Sequence, residues 1–360
     1  MTRILYVGSL SPTGTCWHRH MALGRLGFRL RSMDTDIYTE AGSRAARYLR
    51  LRLGRGELVD SFNRALLDQV ACARPDIVWC DKALLLRPGT VREARRLGAC
   101  VLHYNPDNPF GPRRDPGWRH FLAALPEYDA HLVPRRSNLE DYPRHGARRV
   151  ALLPFAFEPT VHYPPPDGWT DADRPHAVTF IGSPYDDRPR FLSALAARLG
   201  REVTVHGSQW PRRSRHTLDP GVRHRGPAPG DLYRHAIWRS RICLGFVTRS
   251  NIDDLATRTF ELTAAGAAVV AYRTPDQLDA LREGTEALFF SDVEECARHV
   301  QLLLDDPDRR VEMGKAAARR AWGSGYDNDS RIAAALDALG IAVPVPPVRH
   351  TGPVRPAVTV

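Results

Sequence analysis

The first half of the chain alternates short apolar runs with amphipathic stretches. Arg3–Val7 (RILYV) reads as a buried parallel strand, Gly8–Thr15 as a loop, and Trp17–Leu26 as a helix. Phe28–Met33 is a second strand. Leu58, Phe62, Leu66 and Val70 fall on one face of a helix spanning Glu57–Ala73. Asp76–Cys80, Ala99–Tyr104, Ala130–Pro134 and Val150–Leu153 read as further strands, with a helix at Thr90–Leu97. Strands that alternate with helices imply a parallel sheet wound by right-handed crossovers.

The alternation breaks across residues 156–176, where Pro159, Pro164, Pro165, Pro166 and Pro175 give a linker composition. It then restarts. Ala177–Ile181, Glu202–Val205, Val222–His224, Ile242–Phe246, Ala268–Tyr272 and Ala287–Phe290 read as strands. Arg190–Leu199, Leu232–Ser240, Thr257–Ala265, Val293–Leu304 and Pro307–Trp322 read as helices, with a helical turn at Leu278–Leu281. The expected class is α/β, with two tandem Rossmann-like, doubly wound domains over residues 1–155 and 177–326. A helix over 327–340 is expected to pack back on the first domain. Residues 341–360 are Pro-rich without a helical period and read as an extended or disordered tail.

Composition excludes several classes. A chain of 360 residues with 43% hydrophobic and 26% charged residues can bury two cores of ordinary size. None of the six cysteines stands in a C-x-x-C pair, and no Cys/His cluster has metal-ligand spacing. The thiols read as reduced, and a cytoplasmic location is expected. The start of the chain does not read as a signal peptide, and no apolar run approaches a membrane span. The formal charge of +10 is almost all arginine. It fits phosphate-bearing small substrates, nucleic acid, peripheral contact with an anionic membrane, or simply an Arg-rich composition. The arginines are scattered and no nucleic-acid module is visible, so nucleic acid is the weakest of these.

The densest chemical signal is Asn251–Tyr272. The helix over Thr257–Ala265 follows a polar loop, so its first N–H groups are open to an anion. Arg258 in that first turn opposes the helix dipole, a cost that a bound diphosphate would offset. Glu261 shares its face and suits a ribose diol, although an ordinary Arg–Glu surface pair has the same spacing. Gly182 and Ser183 close one strand, with Arg188 and Arg190 just beyond. Trp210 follows another strand and stands as either a base-stacking platform or a plain loop tryptophan. Asp107, in Asn105-Pro106-Asp107-Asn108-Pro109, follows a strand and is the first-domain candidate for a general base, although Asn, Asp and Pro are also ordinary turn residues. The two D-x-D matches, Asp34-x-Asp36 and Asp171-x-Asp173, lack a strand-end context, so no metal site is expected.

Arg258, Phe260, Glu261, Ala264 and Gly266 form R-x-F-E-x-x-A-x-G, which resembles the donor signature of GT-B glycosyltransferases. More narrowly it is similar to the family-four, spore-maturation CgeB-like branch. Asp253 and Glu261 have the spacing of that family's acidic pair, with Asp in place of the first Glu and Asp254-Leu255-Ala256 in place of its glycine-rich loop. The resemblance implies two such domains with a cleft between them. It also implies transfer of a sugar from a nucleoside diphosphate, uridine by family habit, to a small-molecule or glycan hydroxyl. Transfer would be retaining and metal-independent, with no cofactor beyond the sugar nucleotide as co-substrate. It assigns Glu261 to the ribose, Arg188 and Arg258 to the diphosphate, backbone N–H groups of Leu255, Ala256 and Thr257 to the same phosphates, and Asp253 to the donor sugar. Gly182, Ser183, Arg225 and Gly226 would line the nucleotide. His18 is a catalytic candidate beside Asp107, and Gly14, His20, Asn105 and Asn108 would lie on the acceptor side. A sugar-nucleotide epimerase on the same architecture is the alternative, and a basic nucleic-acid-binding protein a weaker one. The acceptor and the oligomeric state are not readable.

Overall fold

A computed structural model describes residues 1–210 and 218–355. Trp210 lies at the edge of the first described stretch, and the tail from 356 onward lies outside the described residues. The chain divides into two compact units. One holds Met1–Pro154 and Asn328–Val348, the other Phe155–Asp327 and the segment from Arg349.

The first unit runs β1 (Arg3–Gly8), α1 (Thr15–Arg25), β2 (Arg29–Asp34), α2 (Asp36–Thr39), α3 (Arg44–Leu53), α4 (Glu57–Ala73), β3 (Ile77–Asp81), α5 (Pro88–Arg96), β4 (Cys100–Tyr104), α6 (Trp118–Ala124), β5 (Ala130–Val133), α7 (Asn138–Arg144) and β6 (Val150–Leu152). Its sheet is parallel, ordered β2-β1-β3-β4-β5-β6. Interior strands such as β1 and β3 are buried on both faces, which is why they read as unbroken apolar runs. Edge strand β2 is mostly open and polar, and it ends at Asp34, so the Asp34-x-Asp36 match stands at a strand end, contrary to the expectation. Helix α4 buries Val59, Phe62, Leu66 and Val70 at helical spacing.

The second unit runs β7 (His176–Ile181), α8 (Arg188–Leu199), β8 (Val203–His206), β9 (Val222–His224), α9 (Asp231–Trp238), β10 (Ser240–Gly245), α10 (Thr257–Ala264), β11 (Ala268–Tyr272), α11 (Pro275–Ala280), β12 (Leu288–Phe290), α12 (Val293–Asp305) and α13 (Pro307–Gly323). Its sheet is ordered β12-β11-β10-β7-β8-β9 and parallel throughout. The last helix, α14 (Asn328–Ala338), belongs to the first unit. There Ile332 and Leu336 join the core around Tyr6 and Leu23, and Asp329 pairs with Arg25 at 2.6 Å.

Both sheets reverse their strand order once, between β1 and β3 in the first and between β7 and β10 in the second. In open α/β sheets the crevice outside the carboxyl ends of the strands at such a reversal is where ligands bind. No helix among the described residues is long and apolar enough to cross a membrane.

Candidate functional site

In the second unit the reversal point is bridged by one side chain. Arg188, the first residue of α8, donates from Nη1 to the Ser183 carbonyl at 3.1 Å, in the loop after β7. Its Nη2 donates to the Val247 carbonyl and the Thr248 hydroxyl, each at 3.0 Å, in the loop after β10. All three acceptors are neutral. Arg188 is buried, its Nε has no partner among the described residues, and burial pushes its guanidinium down to about 10. An interior cation bonded to no carboxylate favours an approaching anion. The neighbouring loops are laced together through their backbones. Gly182 N donates to the His206 carbonyl at 2.8 Å, and Gly207 N to Gly226 at 3.0 Å. A Cβ on Gly207 would sit 2.1 Å from the Gly182 carbonyl oxygen, so only glycine fits there.

Helix α10 begins in the loop after β10. Ala256 is its N-cap and offers no side-chain acceptor or donor, so the first-turn N–H groups are uncapped. Leu255 and Thr257 flank it, half-buried. One turn in, Glu261 is buried and gathers three groups. The Arg258 Nη1 donates to its Oε2 at 3.0 Å, the Tyr233 hydroxyl donates to the same oxygen at 2.7 Å, and His162 Nε2 lies 3.7 Å from Oε1. The Arg258 guanidinium also stacks over the Tyr233 ring at 4.7 Å. Burial raises the Tyr233 phenol well above its usual range, so it stays a donor. Burial alone would lower Arg258, but Tyr233 and Glu261 more than reverse it. The unfavourable dipole at Arg258 is therefore offset within the protein, not by a required diphosphate. Glu261 keeps Oε1 without a hydrogen bond among the described residues, an acceptor left for a hydroxyl. Asp253 accepts from Asn251 Nδ2 at 3.1 Å, and its backbone N–H donates to the Thr248 carbonyl, so it stays in the same loop as the Arg188 acceptors.

Two second-unit expectations are corrected. Trp210 is fully buried and donates its indole N–H to the Gly182 carbonyl at 2.8 Å, so it packs the sheet end and presents no face to a base. Arg225 is exposed and turns its guanidinium to Glu202, 3.5 Å away, while Gly226 serves the loop lacing through its carbonyl. Arg190 is exposed on α8 and lines, together with Arg188 and Val247, a cavity of about 520 Å³.

In the first unit the reversal point is built on Asp81, at the end of β3. Arg19 grips it with two bonds of 2.6 and 2.9 Å, and the Tyr6 hydroxyl adds a third at 2.7 Å. Gly8, at the end of β1, lets this group close up: a Cβ there would be 3.0 Å from that of Asp81. The next residue, Lys82, has φ 52, and its Nζ pairs with Asp107. Arg113 Nη1 reaches the other Asp107 oxygen at 3.3 Å. Burial raises the Asp107 carboxyl, but Lys82 and then Arg113 outweigh it, leaving it below its usual range. Asp107 is thus held ionised, suited to accept a hydroxyl and weak as a proton acceptor.

The other first-unit candidates separate. Asn105 and Asn108 are buried and spend their Oδ1 atoms on turn N–H groups, of Asp107 at 3.2 Å and Phe110 at 3.1 Å, so they shape the loop and do not face an acceptor. His20 leaves the loop: it bonds Ser32 on β2 at 2.7 Å and stacks on Trp17. His18 is buried in α1, whose N-cap is Gly14. The residues that sequence reasoning passed over are Lys82, Arg113, Tyr233 and His162. Lys82 had a signal: it is one of only two lysines in the chain, and it follows a strand directly.

Residues 188–337 match the model of the glycosyl transferase-like family, beginning at Arg188 itself. The chain carries a glycosyltransferase domain. The match takes in the Arg258–Glu261 cluster and runs on into α14. The glycosyltransferase domain and the unit before it have the fold of GT-B glycosyltransferases. A sucrose-phosphate synthase from Thermosynechococcus elongatus is similar at TM-score 0.65 and 14% identity, over 94% of this chain and 97% of that one. Anabaena HepE in complex with UDP-glucose gives 0.63 and 13%, over 94% and 100%. A putative UDP-N-acetylglucosamine 2-epimerase from Listeria monocytogenes gives 0.55 and 11%, over 96% and 99%. The chain has no significant sequence match among curated proteins.

Proposed function

We propose that the chain transfers a glycosyl group from a UDP-sugar to an acceptor hydroxyl, with retention at the anomeric carbon and without a metal ion. The observation that carries this is the cluster at the β7/β10 reversal, inside the glycosyl transferase-like match. It brings a buried cation, uncapped helix N–H groups and a carboxylate with one open oxygen to the loops that follow β7 and β10. Glu261 Oε1 accepts a ribose hydroxyl, while Arg188 and the first turn of α10 stabilise the departing diphosphate, as a fixed set of donors does for developing negative charge. Asp253 stands beside the donor sugar. Asp107, held ionised by Lys82 and Arg113, orients the acceptor hydroxyl. We also place the donor half in the CgeB-like branch on Arg258, Phe260, Glu261, Ala264 and Gly266. HepE, crystallised with UDP-glucose, supports uridine as the base. Epimerisation is second: the Listeria epimerase shares the fold at a lower TM-score. The thiols, unpaired among the described residues, suit a reducing compartment such as the cytoplasm.

A thermal-shift panel of UDP, GDP, dTDP and their sugars tests the reading, since a ligand of the folded form raises its melting temperature by mass action. UDP and one UDP-sugar are expected to stabilise wild type but not Glu261→Ala. An equal shift in both would remove Glu261 from the site. Turnover is expected to survive EDTA, and its loss would refute metal independence.

A further inference from the structure

A second concave site lies in the same unit at the opposite end of the sheet. Arg174 precedes β7, Arg241 is the second residue of β10 and Ala268 the first of β11, so this cavity opens where the strands begin. Along the six residues of β10 that is roughly 20 Å from the loops that hold Arg188. The cavity measures about 830 Å³, room for a nucleotide-sized molecule.

Its charge is one-sided. Six cationic side chains line it against two carboxylates. Arg310 and Arg241 both turn to Asp171, at 2.7 and 3.5 Å, so one carboxylate serves two guanidinium groups. Among the described residues Arg174 donates only to carbonyls, of Trp238 at 2.9 Å and Ser240 at 3.0 Å. Arg310 is buried, and its Nε has no partner among the described residues. Burial lowers the Arg174 guanidinium, and Arg310 adds to this while Asp171 opposes it. Arg319 on α13 makes no ion pair among the described residues, and Arg355 from the C-terminal segment pairs with the exposed Asp167 at 3.3 Å. Trp169, half-buried, supplies an aromatic wall, fixed by its indole bond to the Trp238 carbonyl at 3.2 Å.

Guanidinium groups gathered around one cavity, Arg310 buried and Arg174 and Arg241 half-buried, repel one another unless an anion joins them, and their fork geometry matches phosphate. We propose that this cavity binds a phosphate or diphosphate group, borne by a soluble molecule or a lipid headgroup, with the body of the ligand against Trp169. It is separate from the donor crevice and does not depend on the transfer reaction.

The test is calorimetric titration of inorganic pyrophosphate into the full chain at physiological salt, where scattered surface charges are screened. Arg188→Gln controls for the donor crevice, and it is expected to retain pyrophosphate binding at the second site. Arg241→Gln with Arg319→Gln is expected to weaken that binding tenfold or more, since each removes a charge-assisted contact. Arg319→Glu alone, on an exposed position, is expected to act in the same direction with little effect on folding. Sedimentation with phosphatidic acid vesicles, against phosphatidylcholine, distinguishes the sources. Binding to vesicles that is lost in the Arg241/Arg319 variant assigns the phosphate to a lipid headgroup, and binding to pyrophosphate alone assigns it to a soluble ligand. If neither probe binds in a way that depends on Arg241 and Arg319, the proposal is overturned. Retention of this binding when UDP fails to bind would leave the second site standing without the donor reading.

Discussion

Arg188→Gln separates a phosphate ligand from a structural clamp. In the free protein the guanidinium makes three bonds to neutral acceptors. Bonds from a charged donor contribute about 1.5–3 kcal/mol each. Against them stands the cost of holding the charge in the interior. The fall from 12.5 to about 10 corresponds to about 3 kcal/mol, an order-of-magnitude figure. Glutamine removes that cost and keeps an amide that can reach one of the acceptors. The expected net loss in the free protein is therefore small, about 1–3 kcal/mol, or a melting shift of roughly 3–10 °C for a unit of this size. The nucleotide complex loses a charge-assisted contact as well, so the Kd for UDP should rise roughly 10–100-fold. Differential scanning fluorimetry without ligand gives the first quantity, and calorimetric titration of UDP the second. Arg188→Lys keeps the charge and loses the fork, so its affinity should fall between the two. A lowered melting temperature with an unchanged UDP Kd would make Arg188 a loop clamp and nothing more.

Tyr233→Phe removes the donor to Glu261 Oε2 and should weaken UDP binding several-fold for about 1 kcal/mol of stability; equal affinity by calorimetry would take Tyr233 out of the site. Asp107→Asn strips the partner of Lys82 and Arg113 in the first unit, so turnover measured by UDP release should fall at least roughly tenfold with UDP affinity unchanged; wild-type turnover would exclude it. Stability should also depend on pH through His103 and His131, both buried in the first unit and both lowered by burial, His131 to about 4. The unfolded chain takes up protons near the ordinary 6.5 and the folded one does not, so their contribution is complete above that value and is lost as the pH falls toward 4. Two such rings give at most about 2.7 kcal/mol per pH unit, and urea midpoints that stay flat from about pH 6.5 to about pH 5 would count against this account.

The fold was legible because most of it is interior parallel sheet. Strands such as β1, β3, β10 and β11 are buried on both faces, and an unbroken apolar run between glycines or prolines has few other readings. The helix at Glu57–Ala73 could be placed to its ends because it buries a full stripe. Helix α3 was passed over for the opposite reason. It buries nothing, Tyr48, Leu49 and Leu53 remain exposed, and its ends depend on the Ser43 cap and the left-handed Gly54. Its apolar residues do have helical spacing, but the pattern is short and broken by arginines.

The site was half legible, and the division follows what each residue depends on. Motif positions whose roles are local could be read. Phe260 and Ala264 pack the core, Gly266 ends the helix at φ 76, and Glu261 sits one turn beyond an uncapped start. Roles set by a partner distant in sequence could not. Tyr233 lies 28 residues from Glu261, and Lys82 lies 25 from Asp107. These partners change the chemistry. With Tyr233 and Glu261 around it, the Arg258 charge is balanced before any ligand arrives, and the buried guanidinium bonded only to neutral acceptors among the described residues is that of Arg188. With Lys82 and Arg113 against it, Asp107 loses the basicity that its place at a strand end would otherwise allow. The same dependence misplaced Trp210, whose partner is the Gly182 carbonyl 28 residues earlier. A residue type at a strand end therefore fixes where chemistry can occur, and the charge state of the long-range partner decides which chemistry it is.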